Sequence, residues 1–491
     1  MSATATKPLS KLSTSTWTPK PYMVDAVRFM INRPAAGLFL DPGFAKTAIT
    51  LHAFDVRRRA ARARKMLVVA QLRICELTWP DEVTKWNLGM RVCLMHGSKK
   101  QALLESDEFD LYLINYEGLP WLAKQKKSLL RKFEMFVADE SSKLKDTRTL
   151  RFKSLKKILP CFKYRHILTG SPIPNSLLDI YGQVFTLDLG ETFSPFITQF
   201  RNDYMYPCGF MGYEWAPKEG AEEKIFKKLE NIVLRLPPDL IKLPPISIID
   251  RPIVMTALAQ KRYTQLEKTF LLEWSTGRVK AANAAVVTNK LRQVTGGAVY
   301  DENGDARIFH TEKIDALEEL RDELHDEPMF VAYEYEHELL RLQERFPDGE
   351  TFAGLNKKEA INLRDRFNAG KVPMLFGQPQ SVAHGLNLQV SARVVVWFTV
   401  SWSFELYDQF IRRVWRLGQK RHVHVYRLIA RGTIDEAVIK CVESKDKSQQ
   451  RMLRALEAYY GKAEGGNSPG AGKNNRRTEK SVPKAKGRMA A

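Results

Sequence analysis

Six short apolar runs recur in the first third of the chain: GLFLD (37–41), KMLVVA (65–70), RVCLMH (91–96), DLYLIN (110–115), FEMFVAD (133–139) and YRHILTG (164–170). A run that is apolar at consecutive positions keeps both faces out of water, and this suits a strand in a parallel sheet covered by helices on each side. Parallel strands also need long crossovers, which the helical stretches between the runs supply. A second series has the same grammar: MFVAY (329–333), ETFAG (350–354), VPMLFG (372–377), ARVVVWFTV (392–400) and HVHVYRLIA (422–430). A chain of 491 residues is too long for one ordinary core. The expectation is an α/β fold of two lobes, each a parallel sheet with helices on both faces.

The character of the sequence changes between the two series. LPPDLIKLPPISIIDRP (236–252) reads as a proline-rich hinge, with the lobe boundary near Leu243, and a helical stretch follows from about Ala257 to Arg292. The predicted division is a flexible 1–16, a first lobe at 17–242, a second lobe at 243–460 and a tail at 461–491. The first lobe carries a helical and aromatic insertion at about 191–235, the second a helical insertion at about 257–325. The aromatics Phe193, Phe196, Phe200, Tyr204, Tyr206, Phe210, Tyr213 and Trp215 suit a local helical core or, among basic residues, a stacking surface for bases. The Gly/Lys/Asn-rich tail reads as disordered and basic.

Charge gives a first functional constraint. Lys and Arg number 77 against 56 Asp and Glu, a net +21, which points to a polyanionic partner. Three segments hold the whole surplus: Arg57–Lys65 with six basic and no acidic residues, 121–165 with fourteen against four, and 462–491 with eight against two. The first of these can equally be a solvated helix face. Five cysteines without a CxxC pair argue against a disulfide framework or a zinc site and for a reducing compartment. His422 and His424 share one face of a strand but lack a nearby third ligand. No signal-peptide core and no run of about 18 apolar residues are present, so the expectation is a soluble cytoplasmic protein with no membrane association.

Three constellations carry chemistry. The strand GLFLD runs into PGFAKTAITL, where Gly43, Phe44 and Ala45 form a loop ahead of Lys46 and Thr47. This loop-to-helix arrangement presents backbone N–H groups and a helix N-terminus to phosphates, with Leu40 and Ala45 at the two glycine positions of the P-loop pattern. The strand FEMFVAD ends in Asp139-Glu140. Adjacent buried acids must be paired or coordinated, and in phosphoryl transfer one can hold Mg²⁺ while the other orients and deprotonates water. In SFELYDQFIRRVWRLGQ, helical spacing would place Gln409, Arg413 and Arg416 on one face, from which arginines can stabilise transition-state charge, while Arg412 points elsewhere.

Taken in order, these blocks resemble the Swi/Snf-type ATPases of helicase superfamily two, in a compact form like those encoded by bacteriophages; the resemblance covers about residues 17–445. LDPGFAKT is similar to the family's first motif. VVAQLRICELTWPDEVTKW (68–86) is similar to its next block, with the Trp-acid-Trp pattern of Trp79, Glu82 and Trp86. ADESSKLKD (138–146) resembles the DEAH-type box, with Ser141 for Ala and Ser142 for His. HILTGSPIPNSLLDIYGQ (166–183), QSVAHGLNLQ (380–389) and QFIRRVWRLGQKRHVHVYRLIARGTIDEAV (409–438) resemble later blocks.

The resemblance implies two RecA-like lobes with ATP and Mg²⁺ between them. It implies that Lys46 contacts the β- and γ-phosphates, Thr47 and Asp139 hold Mg²⁺, and Glu140 is the base for water. Arg413 and Arg416 would be fingers from the second lobe, Gln409 and Gly385 would help close the cleft, and Thr169, Gly170 and Ser171 would couple hydrolysis to lobe movement. Met23 stands where the family usually has the glutamine that reads adenine, and Ala383 and Arg412 replace glycines. The implied activity is that of a monomeric DNA-dependent ATP hydrolase tracking on DNA, duplex rather than single-stranded, in the host cytoplasm if phage-encoded. The competing readings are a nucleic-acid-binding module whose ATPase has weakened or been lost, and an RNA helicase.

Overall fold

The computed structural model describes residues 17–444 except 175, 209–213, 238–239, 241, 276–280 and 383–385; of 214, 269–275 and 281–287 it describes the backbone only. Gly385, Ala383, Phe210, Tyr213 and both termini therefore lie outside the described residues.

All six runs of the first series are strands: β1 (Ala35–Phe39), β2 (Met66–Ala70), β3 (Val92–Leu94), β4 (Leu111–Asn115), β5 (Met135–Asp139) and β6 (Tyr164–Thr169). Between β6 and the second lobe lie the hairpin β7 (Met205–Cys208) and β8 (Glu214–Pro217), then β9 (Val233–Arg235). The main sheet has the order β3-β4-β2-β5-β6-β1-β9 and is parallel throughout. Every residue of β1, β2 and β5 is buried. Odd and even positions feed two separate cores, Leu67, Val69 and Phe136 on one face and Met66, Val68 and Val137 on the other.

The second lobe repeats the plan with β10 (Ile246–Ile253), β13 (Met329–Ala332), β14 (Glu350–Thr351), β15 (Met374–Gly377), β16 (Val394–Trp397) and β17 (Val423–Ala430), ordered β10-β17-β16-β13-β15-β14 and again parallel. A small hairpin, β11 (Ala298–Tyr300) with β12 (Ala306–Ile308), follows the helices Ala257–Ser275 and Ala281–Thr295. The architecture is thus two parallel α/β lobes with helical insertions.

Two readings need correction here. Half of the proline-rich segment read as a hinge is the eight-residue strand β10; it tolerates Pro252 because it lies at the sheet's edge, where a missing N–H breaks no ladder. The basic run Arg57–Lys65 is not simply a solvated face. Arg57 is 2% exposed, donates to the carbonyls of Met30 and Arg33 at 2.7 Å each, and stacks on the Tyr164 ring at 3.6 Å. In the aromatic segment, Phe193, Phe200 and Tyr204 pack together and join the main core of the first lobe, whereas Phe196 and Tyr206 are exposed.

Candidate active site

Three adjacent strands of the first sheet, β5, β6 and β1, end side by side, in register at Asp139, Leu168 and Leu38. Ligands of open parallel sheets bind outside these carboxyl ends. The loop after β1 turns through Gly43 at φ +98° and Ala45 at φ 54° before the helix Lys46–Arg59 begins. Positive φ at an alanine costs about 1–2 kcal/mol, so the tight turn is held against local preference. Phe44 is 4% exposed, with its ring edge-on to Tyr22 at 5.6 Å. Its side chain anchors the loop in the core, and its N–H closes a turn to the Asp41 carbonyl at 3.3 Å. Met23 is likewise buried in that core.

Lys46 donates from Nζ to the carbonyls of Leu40 at 2.7 Å and Asp41 at 3.3 Å. Burial pushes its ammonium down, opposed by the charges of Glu140, Asp139 and Asp41 around it. Asp139 is 7% exposed; burial raises its carboxyl, with Lys46 pulling the other way. Its Oδ2 accepts the Trp79 indole N–H at 3.0 Å. Glu140 sits at φ 57°, a second left-handed non-glycine residue, and its Oε1 accepts the Ser142 hydroxyl at 3.1 Å. Burial also raises the Glu140 carboxyl, against the pull of Lys46 and with the Asp139 charge adding to the rise. The donor set suits Mg²⁺: the Thr47 hydroxyl follows Lys46 at the start of the helix, and Lys46 packs among the acids Asp139 and Glu140. A hydroxyl and a carboxylate are the hard oxygen donors that this cation takes.

The TGS block touches both neighbours. Leu40 N–H donates to Thr169 O at 3.1 Å, Ser171 N–H donates to the Thr169 hydroxyl at 3.0 Å, and a Cβ on Gly170 would meet Pro42 Cδ at 2.9 Å. A buried bridge runs from the acid box to the same block: Ser141 Oγ donates to Gln183 Oε1 at 2.8 Å, and Gln183 Nε2 donates to Pro172 O at 2.6 Å.

The second lobe supplies the arginines in a way the helical spacing did not predict. The helix is Phe404–Ile411, N-capped by Ser403, whose hydroxyl accepts from Leu406 N–H at 3.3 Å. It ends before Arg412, so Arg413 and Arg416 leave from turns and share no helix face with Gln409. They converge instead on one carbonyl, Leu386 O, at 3.4 and 3.5 Å. Arg412 does point elsewhere, pairing with Asp408 at 3.1 Å. Burial and the neighbouring Arg416 push the Arg413 guanidinium down while Glu140 pulls it back up. Arg416 reaches the phosphate loop directly, since a Cβ on Gly43 would lie 3.5 Å from its Cβ. Gln409 is 5% exposed and donates to Glu405 at 3.1 Å.

A polar cavity of about 590 Å³ opens between the lobes, with Gln71, Tyr116, Lys143 and Arg151 on one side and Glu405 and Gln409 on the other. Burial raises the Glu405 carboxyl, with the Glu140 charge adding to the rise. The site residues that sequence reasoning gave no role are thus Trp79, Gln183, Tyr116 and Glu405. Trp79 and Gln183 were inside quoted blocks, but only three-dimensional contact marks them. Part of the 121–165 charge is structural: Arg165 is tied to Leu187 O at 2.6 Å, and Lys132 to Ser106 O at 2.7 Å.

Comparison with known proteins gives a family match: the model of the SNF2-related domain matches residues 22–295. Putative protein p41 of Acyrthosiphon pisum secondary endosymbiont phage 1 is 31% identical over 467 residues, covering 90% of this chain and 99% of that one. An uncharacterized ATP-dependent helicase of Mycoplasma genitalium is 25% identical over 87% of this chain and 41% of its own length. The DNA repair and recombination protein RAD54 of Oryza sativa is 25% identical over 90% and 52% respectively. The chain thus spans nearly all of the phage relative and about half or less of the other two.

Proposed function

Because this chain belongs to the SNF2-related family and is an ATP hydrolase of that type, we propose that it is a motor that tracks along duplex DNA, closing its two lobes on each ATP. The observation that carries the reading is the meeting of Arg416 with Gly43: the guanidinium-bearing turn of one lobe lies against the phosphate loop of the other, so hydrolysis and lobe contact share one surface.

In this reading Lys46 exchanges its two loop carbonyls for the β- and γ-phosphates. Thr47 and Asp139 would hold Mg²⁺, which would neutralise phosphate charge. Glu140 takes a proton from the attacking water at its carboxylate. Arg413 and Arg416 leave Leu386 O for the oxygens that gain charge as the γ-phosphoryl transfers. Release of the cleaved phosphate frees the arginines, and the Ser141–Gln183–Pro172 bridge conveys the change to the TGS block.

The choice of DNA is supported by the net +21, by Lys143 and Arg151 at the inter-lobe cavity, and by the DNA repair role in the name of the rice relative. The test is ATP hydrolysis with duplex DNA, single-stranded DNA and RNA side by side, together with displacement of a third strand. We expect several-fold stimulation, greatest with duplex, lost in Lys46→Ala and Glu140→Gln. Equal rates with and without nucleic acid would overturn the motor reading; greatest stimulation by RNA would replace it with an RNA helicase.

A further inference from the structure

We propose that Trp79 is a positioning residue for Asp139, and that the segment carrying it transmits the docking of the second lobe to that carboxylate. The proposal rests on the nucleotide site described above and adds a residue to it. Trp79 is fully buried, and its indole N–H is 3.0 Å from Asp139 Oδ2. Indole has a single donor on a rigid ring. A bond to one carboxylate oxygen fixes the plane of the group and leaves the other oxygen for a cation, as outer-shell partners do at metal sites.

The backbone around Trp79 is unusual. Residues Ile74–Thr78 form a π-helix, and Trp79 opens the α-helix Trp79–Lys85 directly after it. Single π-turns are rare and concentrate at functional sites, because the extra residue per turn rotates everything that follows. The Cys75 thiol, 3.5 Å from Ile114 O, pins this turn to β4. The same short segment is held by the other lobe. Leu77 is 2% exposed and packs into the second lobe's core, Arg73 donates to Phe352 O at 3.4 Å, and Asp81 pairs with Arg364. Glu82 is the charge that raises the Arg416 guanidinium against its burial. One stretch from Arg73 to Glu82 therefore contacts the other lobe and Asp139, and its Glu82 charge is felt by Arg416. A shift of the second lobe moves Leu77 and Asp81, and the π-turn passes that movement to the indole.

The experiment uses the full chain with Trp79→Phe and, to remove only the N–H while keeping the ring volume, a benzothienylalanine placed at position 79 by nonsense suppression. The readouts are melting temperature, Mg²⁺ dependence of fluorescent mant-ADP binding, and Mg²⁺ dependence of hydrolysis. Mant-ADP affinity without Mg²⁺ should match the parent, while the Mg²⁺ concentration for half-saturation rises at least about tenfold in both binding and turnover. The benzothienyl variant should show this with a smaller drop in melting temperature than Trp79→Phe, since it keeps the ring volume and loses only the N–H. An unchanged Mg²⁺ dependence in that variant overturns the positioning role, whatever happens to stability. Arg364→Ala tests the transmission: it should raise the Mg²⁺ requirement two- to threefold in the parent and have no added effect in the benzothienyl variant. Equal effects in both backgrounds, or none in the parent, overturn it. A parent that binds mant-ADP no better with Mg²⁺ than without overturns the nucleotide reading itself, and this proposal with it.

Discussion

The bridge from the acid box to the TGS block is a buried polar chain whose removal can be worked out bond by bond. Ser141 and Gln183 are both fully buried, and Gln183 also donates to Asp179 O at 2.9 Å. Ser141→Ala removes one donor and leaves Gln183 Oε1 without a partner, a loss of about 1–3 kcal/mol. Gln183→Met strands the Ser141 hydroxyl and Pro172 O and should cost about 2–4 kcal/mol on the same scale. The double variant should lose less than the sum by about 1–2 kcal/mol, because the interaction is already absent when the second partner goes. Two lobes need not unfold together, so the quantity to measure is the opening free energy of amides in β5 and β6 by native-state hydrogen exchange. Stimulation of hydrolysis by DNA should fall further than basal hydrolysis in each variant. Additive losses, or a Ser141→Ala change within about 0.5 kcal/mol, would refute the bridge as an energetic link.

Three further perturbations test the fold around the site. Ala45→Gly should stabilise by about 0.5 kcal/mol, since relief of left-handed strain outweighs the glycine's added freedom when unfolded, and Ala45→Val should destabilise by more than about 1 kcal/mol; thermal melts read both. Gly182→Ala should cost about 3 kcal/mol in denaturant titration, because its Cβ would lie 2.3 Å from Leu144 O, a backbone atom held by the acid-box turn. His337 is 2% exposed and its ring nitrogens have no partner among the described residues; burial pushes it down to about 4. The unfolded chain therefore binds a proton that the folded one does not between roughly pH 4 and 6.5, and stability falls as pH drops through that window. His337→Phe should flatten the fall by up to about 1.4 kcal/mol per pH unit, measured by urea titration at pH 4.5, 5.5 and 7.

What the sequence made legible follows from which physical rule dominates at each position. Most of the eleven strands were readable because central parallel strands between two helical layers are apolar at nearly every position, a pattern short enough to see without alignment. The strand β10 escaped because, at an edge, it alternates half-buried and exposed residues and contains a proline that normally argues against a strand. The phosphate loop and the acid pair were readable because their chemistry is local in sequence. The arginines were recognised, yet their geometry was not: helical spacing assumed a helix that ends at Ile411, and the bond of Arg412 N–H to Asp408 O closes its last turn. Trp79 and Gln183 show the limit most clearly. Each lies in a block matched by resemblance without a role of its own, and each acquires one only from a partner 60 or 42 residues away.

The order of strands in the first sheet also bears on how the protein is made. The strand that launches the phosphate loop, β1, is apolar on both faces and has as neighbours β6 and β9. At about 5–20 residues per second a ribosome needs roughly 6–25 s to reach β6 after finishing β1, and longer to reach β9. Throughout that interval β1 can pack only against its flanking helices, Pro21–Ile31 and Lys46–Arg59, and has no strand on either edge. Segments of this kind recruit holdase chaperones, and the nucleotide pocket is among the last features of its lobe to become competent. The phosphate loop is therefore framed only once β6 and β9, made after it, have paired on both edges of β1.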